Sequence, residues 1–126
     1  MRTILVVDDD LGLRELAVAF LSGSGCTVLT ASDGYEALRV LVERSVDLLI
    51  TDVKMPGISG YELARQAKLM RPHLHVIYLS GHVSGPDRTG PFYGTLVPKP
   101  ILAKRLLALI EREMAEPATG EPWPLS

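Results

Sequence analysis

The chain has a single cysteine, Cys26, among its 126 residues, so it holds no internal disulfide and fits a reducing compartment. That residue is expected to be a small buried hydrophobe rather than a reactive thiol. No apolar run approaches the roughly 18 residues needed to cross a bilayer. Met1-Arg2-Thr3 leads straight into a strand-like run, which predicts no signal peptide. Aromatic residues make up only 6% of the chain, and the formal net charge is only -2, too small to draw nucleic acid or an anionic membrane. No internal repeat is visible. These absences predict a soluble cytoplasmic protein acting on neither nucleic acid nor membrane. What is present, 47% hydrophobic residues, suffices for one compact domain.

The chain is organised around Leu48-Leu49-Ile50-Thr51-Asp52-Val53-Lys54-Met55-Pro56-Gly57. A short apolar run reads as a buried strand, and it ends in a carboxylate followed by a Pro-Gly turn. An Asp there is costly unless something pairs with it. The same design stands near the N-terminus, where Ile4-Leu5-Val6-Val7 runs into Asp8-Asp9-Asp10. Two strands ending in acid predict one acidic pocket at one edge of a sheet.

In order, the pattern predicts strands over 3–8, 26–31, 47–51, 74–79 and 94–97. Leu13, Leu16, Ala17, Phe20 and Leu21 form one apolar face of a first helix, stopped by Ser22-Gly23-Ser24-Gly25. Asp10 is its expected N-cap. Asp33 with Glu36, and Ser59 with Glu62, are spaced as capping boxes. They open helices carrying Leu38, Leu41 and Val42, then Leu63, Ala64, Ala67 and Met70. A last helix over about 101–114 turns Leu102, Leu106, Leu109 and Ile110 inward. Between Val83 and Pro91 two Gly and two Pro leave the expected fourth helix short or irregular. The domain is read as 1–116, with 117–126 a flexible tail in which Trp123 is incidental.

Strands alternating with helices make an α/β fold, a parallel sheet covered on both faces, with ligands beyond the carboxyl ends of the strands. That rule gathers Asp8, Asp9, Asp52, Ser80 and Lys99. Three close carboxylates repel one another unless a cation is present, and hard oxygen ligands suit Mg²⁺ or a similar ion. A carboxylate can form an acyl phosphate, with Lys99 neutralising the phosphoryl group and Ser80 donating to it. The residues therefore read as a metal-assisted phosphoacceptor site.

Val7-Asp8-Asp9, Asp52-Val53-Lys54-Met55-Pro56 with Gly60, Ser80-Gly81 and Lys99-Pro100 resemble, in this order, the response-regulator receiver domain of two-component signalling. The resemblance covers residues 3 to about 114. It implies a doubly wound, flavodoxin-like sheet of five parallel strands in the order 2-1-3-4-5. It also implies phosphorylation of Asp52 by a histidine kinase or phosphotransfer protein. Mg²⁺ (or Mn²⁺) would bind to Asp8, Asp9, Asp52 and the carbonyl of Lys54, with Asp8 acting mainly through water. Ser80 would move toward the phosphoryl group, Lys99 would pair with it, and the Lys99-Pro100 bond would be cis. Such a protein accepts and self-hydrolyses a phosphoryl group without being a dedicated enzyme, and signals through protein contacts as a monomer or weak homodimer.

Two features depart from the family pattern. Leu96 stands where receivers commonly carry a switching Tyr or Phe, with Tyr93 three places too early, and the segment from Ser80 to Lys99 is short and rich in Gly and Pro. Lys54 and His82 hold the two positions that tune phosphoryl lifetime in the family. His73 and His75 are expected to be ordinary strand-flanking histidines rather than metal ligands. Two other readings compete: a pseudo-receiver scaffold that does not switch, and a haloacid-dehalogenase-type phosphatase with Asp8 as nucleophile and Asp10 as acid/base.

Overall fold

The computed structural model describes residues 2–81, 94–99 and 103–115. Five short strands form one parallel sheet: β1 (Thr3–Val7), β2 (Thr27–Ala31), β3 (Leu48–Asp52), β4 (His75–Ser80) and β5 (Thr95–Pro98). Their spatial order is β2-β1-β3-β4-β5, as expected. Between and after them lie α1 (Leu11–Leu21), a 3₁₀ turn (Ser22–Ser24), α2 (Gly34–Glu43), α3 (Gly60–Met70) and α4 (Ala103–Ala115). The strands fall within a residue of their expected positions, and the described part of α4 lies within the helix expected from about 101, to within a residue at its end. The expected irregular fourth crossover, Tyr93, His82, the Lys99-Pro100 bond, Leu102 and the tail with Trp123 lie outside the described residues.

Alternation along the strands splits the core in two. Leu5, Val7, Leu49, Val76 and Tyr78 meet Ala37 and Leu41 of α2 and Leu63, Ala64 and Ala67 of α3. Ile4, Val6, Leu48, Ile50 and Ile77 face the other way, toward Leu21 of α1 and Leu106 and Ile110 of α4. Leu96 packs against the first cluster, and Cys26 is partly buried against the second.

Helix starts follow the sequence closely. Asp10 accepts from the Leu13 N–H at 3.2 Å, Asp33 from Glu36 at 2.8 Å and Ser59 from Glu62 at 3.1 Å. The return half of each expected capping box is replaced. Glu36 accepts instead from the Ser32 N–H and hydroxyl, at 3.1 and 2.7 Å. Glu62 is held by Arg65 and Gln66, because a carboxylate bonds a guanidinium more strongly than an amide N–H. The Ser32 hydroxyl and backbone hold Glu36 below its usual value, and the Arg65 fork beside Glu62 lowers its carboxyl to about 2.

Three helix faces differ from expectation. Val42 is 69% exposed and Met70 41%, each just outside the stripe that reaches the sheet. On α1, Leu21 is buried but Leu13, Leu16 and Phe20 are 42%, 54% and 47% exposed. The sheet covers only the side of α1 aimed at it. The remaining apolar flank, with Leu79 and Leu106, lines an open groove of 480 Å³ between α1 and α4.

Candidate functional site

The site stands where the carboxyl ends of β1, β3, β4 and β5 meet. Just past β1, the Asp8 N–H continues the ladder to the Ala31 carbonyl at 3.2 Å, so Asp8 is held as an extension of the strand. Its side chain is turned inward and is almost fully buried. One carboxylate oxygen accepts from the Asp10 N–H at 3.0 Å and the other from Lys99 Nζ at 2.9 Å. Asp9 follows on the exposed side, and Asp10 caps α1.

Asp52 ends β3 opposite Leu79 of β4. The next N–H, of Val53, still donates to the Leu79 carbonyl at 3.0 Å. The Val53 carbonyl then accepts from the Gly60 N–H at 2.8 Å, which seats the start of α3 against the strand end. That approach is possible because residue 60 has no Cβ: one placed there would stand 2.2 Å from the Asp52 carbonyl oxygen. Lys54 is exposed in the intervening loop, whose turn at Gly57 takes φ +83° after Pro56, the Pro-Gly chemistry the sequence indicates.

Ser80 closes β4 and is buried, and its carbonyl accepts from the Lys99 N–H at 2.7 Å. That bond fixes the Lys99 backbone beside β4 while its side chain reaches across to β1 and β3. Lys99 Nζ lies 2.9 Å from Asp8 and 3.5 Å from Asp52. One cation therefore bridges the two less exposed acids of the three.

Asp8, Asp9 and Asp52 each offer an oxygen within 4.8 Å of the others. Burial pushes the Asp52 carboxyl above its usual value; Lys99 opposes the shift and Asp8 adds to it. Burial alone would lower Lys99, but its hydrogen bond to Asp8 and the charges of Asp8 and Asp52 outweigh that, and its net shift is upward. Excess negative charge on an all-oxygen donor set is the chemistry a hard divalent cation such as Mg²⁺ satisfies, so the residues present fit one.

The expected residues Asp8, Asp9, Asp52, Ser80 and Lys99 thus occupy one edge of the sheet, with Lys54 on the adjoining loop. His75 is occupied elsewhere, with Nδ1 3.4 Å from Glu113 of α4, and His73 is exposed. Among the described residues the three acids are the only group arranged to hold a metal. Sequence reasoning missed Arg14. From the first turn of α1 its Nη1 donates to the Asp8 carbonyl at 2.7 Å, and its charge reaches Glu36 on α2. The available signal was its place four residues after the N-cap Asp10, on the turn above the strand end.

A family model for the response regulator receiver domain matches residues 4–111. The chain is 37% identical, over 95% of its length, to the transcriptional regulatory protein GlrR of Escherichia coli K12, of which it spans only 28%. The response regulator receiver protein CpdR of Brucella abortus is 32% identical over 89% of the chain, and the match covers 96% of CpdR. Among solved structures, the response regulator protein TrrA of Thermotoga maritima, in complex with Mg²⁺-BeF, superposes with a TM-score of 0.77 at 30% identity. That superposition covers 89% of this chain and 98% of the other.

Proposed function

The chain belongs to the response regulator receiver domain family, and from that premise we propose that Asp52 is its phosphoacceptor in a two-component phosphorelay. The observation that carries the reading is the gathering of Asp8, Asp9 and Asp52 beneath Lys99 at the strand ends. The donor is a phosphohistidine on a histidine kinase or phosphotransfer protein. An Asp52 oxygen attacks phosphorus, the phosphorus–nitrogen bond breaks, and its electron pair leaves with the imidazole. Lys99 balances charge on the phosphoryl oxygens, and the Ser80 hydroxyl donates to one of them. Asp8, Asp9, Asp52 and the Lys54 carbonyl would hold Mg²⁺ or Mn²⁺, which when bound neutralises charge between the carboxylates and the phosphoryl group. Water attack at phosphorus breaks the bond to the Asp52 oxygen, releases inorganic phosphate and returns the Asp52 carboxylate, so the domain resets itself without being a dedicated enzyme.

The groove beside α1 suits the donor helix. Asp8 and Lys99 line its upper end, continuous with the site, and Leu13, Leu16 and Phe20 offer an unfilled apolar flank. An amphipathic helix carrying the phosphohistidine would cover that flank while presenting its imidazole to Asp52.

A second reading, the non-switching scaffold, is favoured by Leu96, which is already packed into the core and offers no aromatic ring to turn inward. The phosphatase reading fares worse, because Asp10 is engaged in capping α1 rather than facing Asp8 as an acid. Incubation with acetyl phosphate or phosphoramidate and Mg²⁺, followed by intact mass, separates the three. A Mg²⁺-dependent gain of one phosphoryl group that Asp52→Asn abolishes is the expected result. No gain in a folded, Mg²⁺-binding protein would leave the scaffold, and a phosphoryl group mapped to Asp8 would point to the phosphatase.

A further inference from the structure

We infer that Arg14 is a positioning residue for the acid cluster: by gripping the main-chain carbonyl of Asp8, it sets the peptide plane that aims Asp9 at a divalent cation. The inference rests on the phosphoacceptor reading and deepens it, adding a residue that touches neither the cation nor the phosphoryl group.

The Asp8–Asp9–Asp10 segment has to deliver two carboxylates in different ways. Asp8 is fixed at three points: its N–H on Ala31, one carboxylate oxygen on the Asp10 N–H and the other on Lys99. Asp9 is exposed, and among the described residues no side-chain hydrogen bond orients its carboxylate. Its direction is therefore inherited from the backbone. The peptide group between Asp8 and Asp9 is planar, so fixing its carbonyl oxygen fixes its N–H and the bond leading to the Asp9 Cα. The group that fixes that oxygen is the Arg14 guanidinium, at 2.7 Å.

Arg14 is itself held at both ends. Its N–H donates to the Asp10 carbonyl at 3.1 Å within the first turn of α1, a turn anchored by the Asp10 cap on Leu13. A half-buried charged donor on a neutral carbonyl makes a strong, directional bond. Lys99 on one side and Arg14 on the other thus divide the work: one fixes the Asp8 carboxylate, the other the peptide that follows it.

Charge alone predicts the opposite of positioning, which makes the test decisive. A cation next to an acid cluster repels Mg²⁺, so removing it should tighten binding if charge is all that Arg14 supplies. If Arg14 positions Asp9, removing it should weaken binding, as loss of a supporting partner commonly does by about tenfold or more. The measurement is a Mg²⁺ titration followed through amide shifts of residues 8–10 and 52–54, on the full chain, with thermal melting to establish folding. The variants are Arg14→Ala, Arg14→Lys and, as a surface control on the same helix, Glu15→Gln. About tenfold weaker binding in Arg14→Ala, partly restored in Arg14→Lys, with Glu15→Gln near the parent, is the expected pattern. Unchanged or tighter binding in Arg14→Ala would overturn the inference. If Arg14→Ala does not fold, Arg14→Met decides: it keeps the aliphatic stem but loses both the charge and the donor to the Asp8 carbonyl, so unchanged or tighter binding overturns positioning and weaker binding supports it. A parent chain that binds no Mg²⁺ would overturn the phosphoacceptor reading itself, and this inference with it.

Discussion

Substituting Gly60 by Ala tests whether β3 and α3 are fitted to each other as closely as the geometry states. A Cβ at residue 60 would stand 2.2 Å from the Asp52 carbonyl oxygen and 3.0 Å from both the Asp52 carbonyl carbon and Val53 Cα. Ordinary contact begins at 3.4 Å, so the parts must separate by roughly an ångström, and the obstacle is backbone that no rotamer change can clear. β3 cannot yield, because it is hydrogen-bonded between β1 and β4. The start of α3 must therefore move outward. That stretches the 2.8 Å bond from Gly60 N–H to the Val53 carbonyl and lifts the fully buried Leu63, Ala64 and Ala67 from the sheet.

Overpacking of this kind costs about 1–3 kcal/mol, and a strained hydrogen bond adds on the order of 1 kcal/mol. The better helix propensity of Ala returns at most about 1 kcal/mol. The clash wins, with a net loss of about 2 kcal/mol, or a fall in Tm of roughly 8 °C for a domain of this size. Urea denaturation should show a lower midpoint at unchanged slope. Labelling by acetyl phosphate should slow as well, since moving the start of α3 outward drags the loop that follows Asp52, with the Lys54 carbonyl on it. Gly23→Ala is the counterpart: its Cβ meets nothing within 4 Å and its φ is not positive, so the change should be neutral or slightly stabilising. Equal stability of Gly60→Ala and the parent would refute the argument that backbone contact dictates glycine there.

Burial holds Asp52 above its usual value, so the folded state keeps that proton to higher pH than the unfolded chain does, and stability falls as pH rises through the window above 3.8. In EDTA, Asp52→Asn should match the parent at low pH and exceed it at pH 7 by urea denaturation; an Asn variant less stable at pH 7 would contradict the sign. Phe20→Ser, on the exposed flank of α1, should leave melting and acetyl phosphate labelling nearly unchanged but slow transfer from a phosphorylated histidine protein by tenfold or more, about 1.4 kcal/mol. Equal slowing with both donors would argue against the groove as the donor's seat. Glu113 offsets the buried Lys68, which burial holds below its usual value, and also accepts from Thr95 at 3.2 Å. Glu113→Gln should therefore cost about 1–3 kcal/mol at pH 7. Part of that loss should return toward pH 10, where Lys68 can neutralise, and a loss independent of pH would break the link to Lys68.

The fold was legible because its cues are local and agree with one another. Each strand is a short apolar run, each helix N-cap that was named makes its bond, and the spacing of strands and helices leaves little choice but a parallel sheet. The acids were legible for a different reason: Asp8 and Asp52 break an apolar pattern where burial makes that costly. What the pattern could not show is how far a stripe is covered. Leu13, Leu16 and Phe20 have the spacing of a core face, yet the sheet reaches only Leu21 and part of Ala17, because coverage depends on where α4 stands. The capping boxes failed in their second half for a related reason. Glu36 and Glu62 had stronger partners in Ser32 and Arg65 than the backbone amide their spacing implies. Arg14 escaped notice because its target is a main-chain carbonyl, which no residue type announces.

The two halves of this edge of the sheet are built to opposite ends. Around the acids the backbone is firmly held: Asp8 by three partners and by Arg14, the end of β3 through Val53 and Gly60, and Lys99 by the Ser80 carbonyl behind it. A group transfer between two proteins needs that rigidity, because misplacement of an ångström can cost two orders of magnitude in rate. Next to it, the flank of α1 is apolar and only partly covered, costing the isolated domain stability it could have gained by closing the groove. Surface left uncovered beside Asp52 fits the proposed donor, which would supply the missing apolar layer and the phosphoryl group in one docking event. On that view Leu96 does not bar acceptance of a phosphoryl group. In the proposed function, acceptance of the phosphoryl group would depend on the acids, Lys99 and the α1 flank, none of which needs an aromatic at that position.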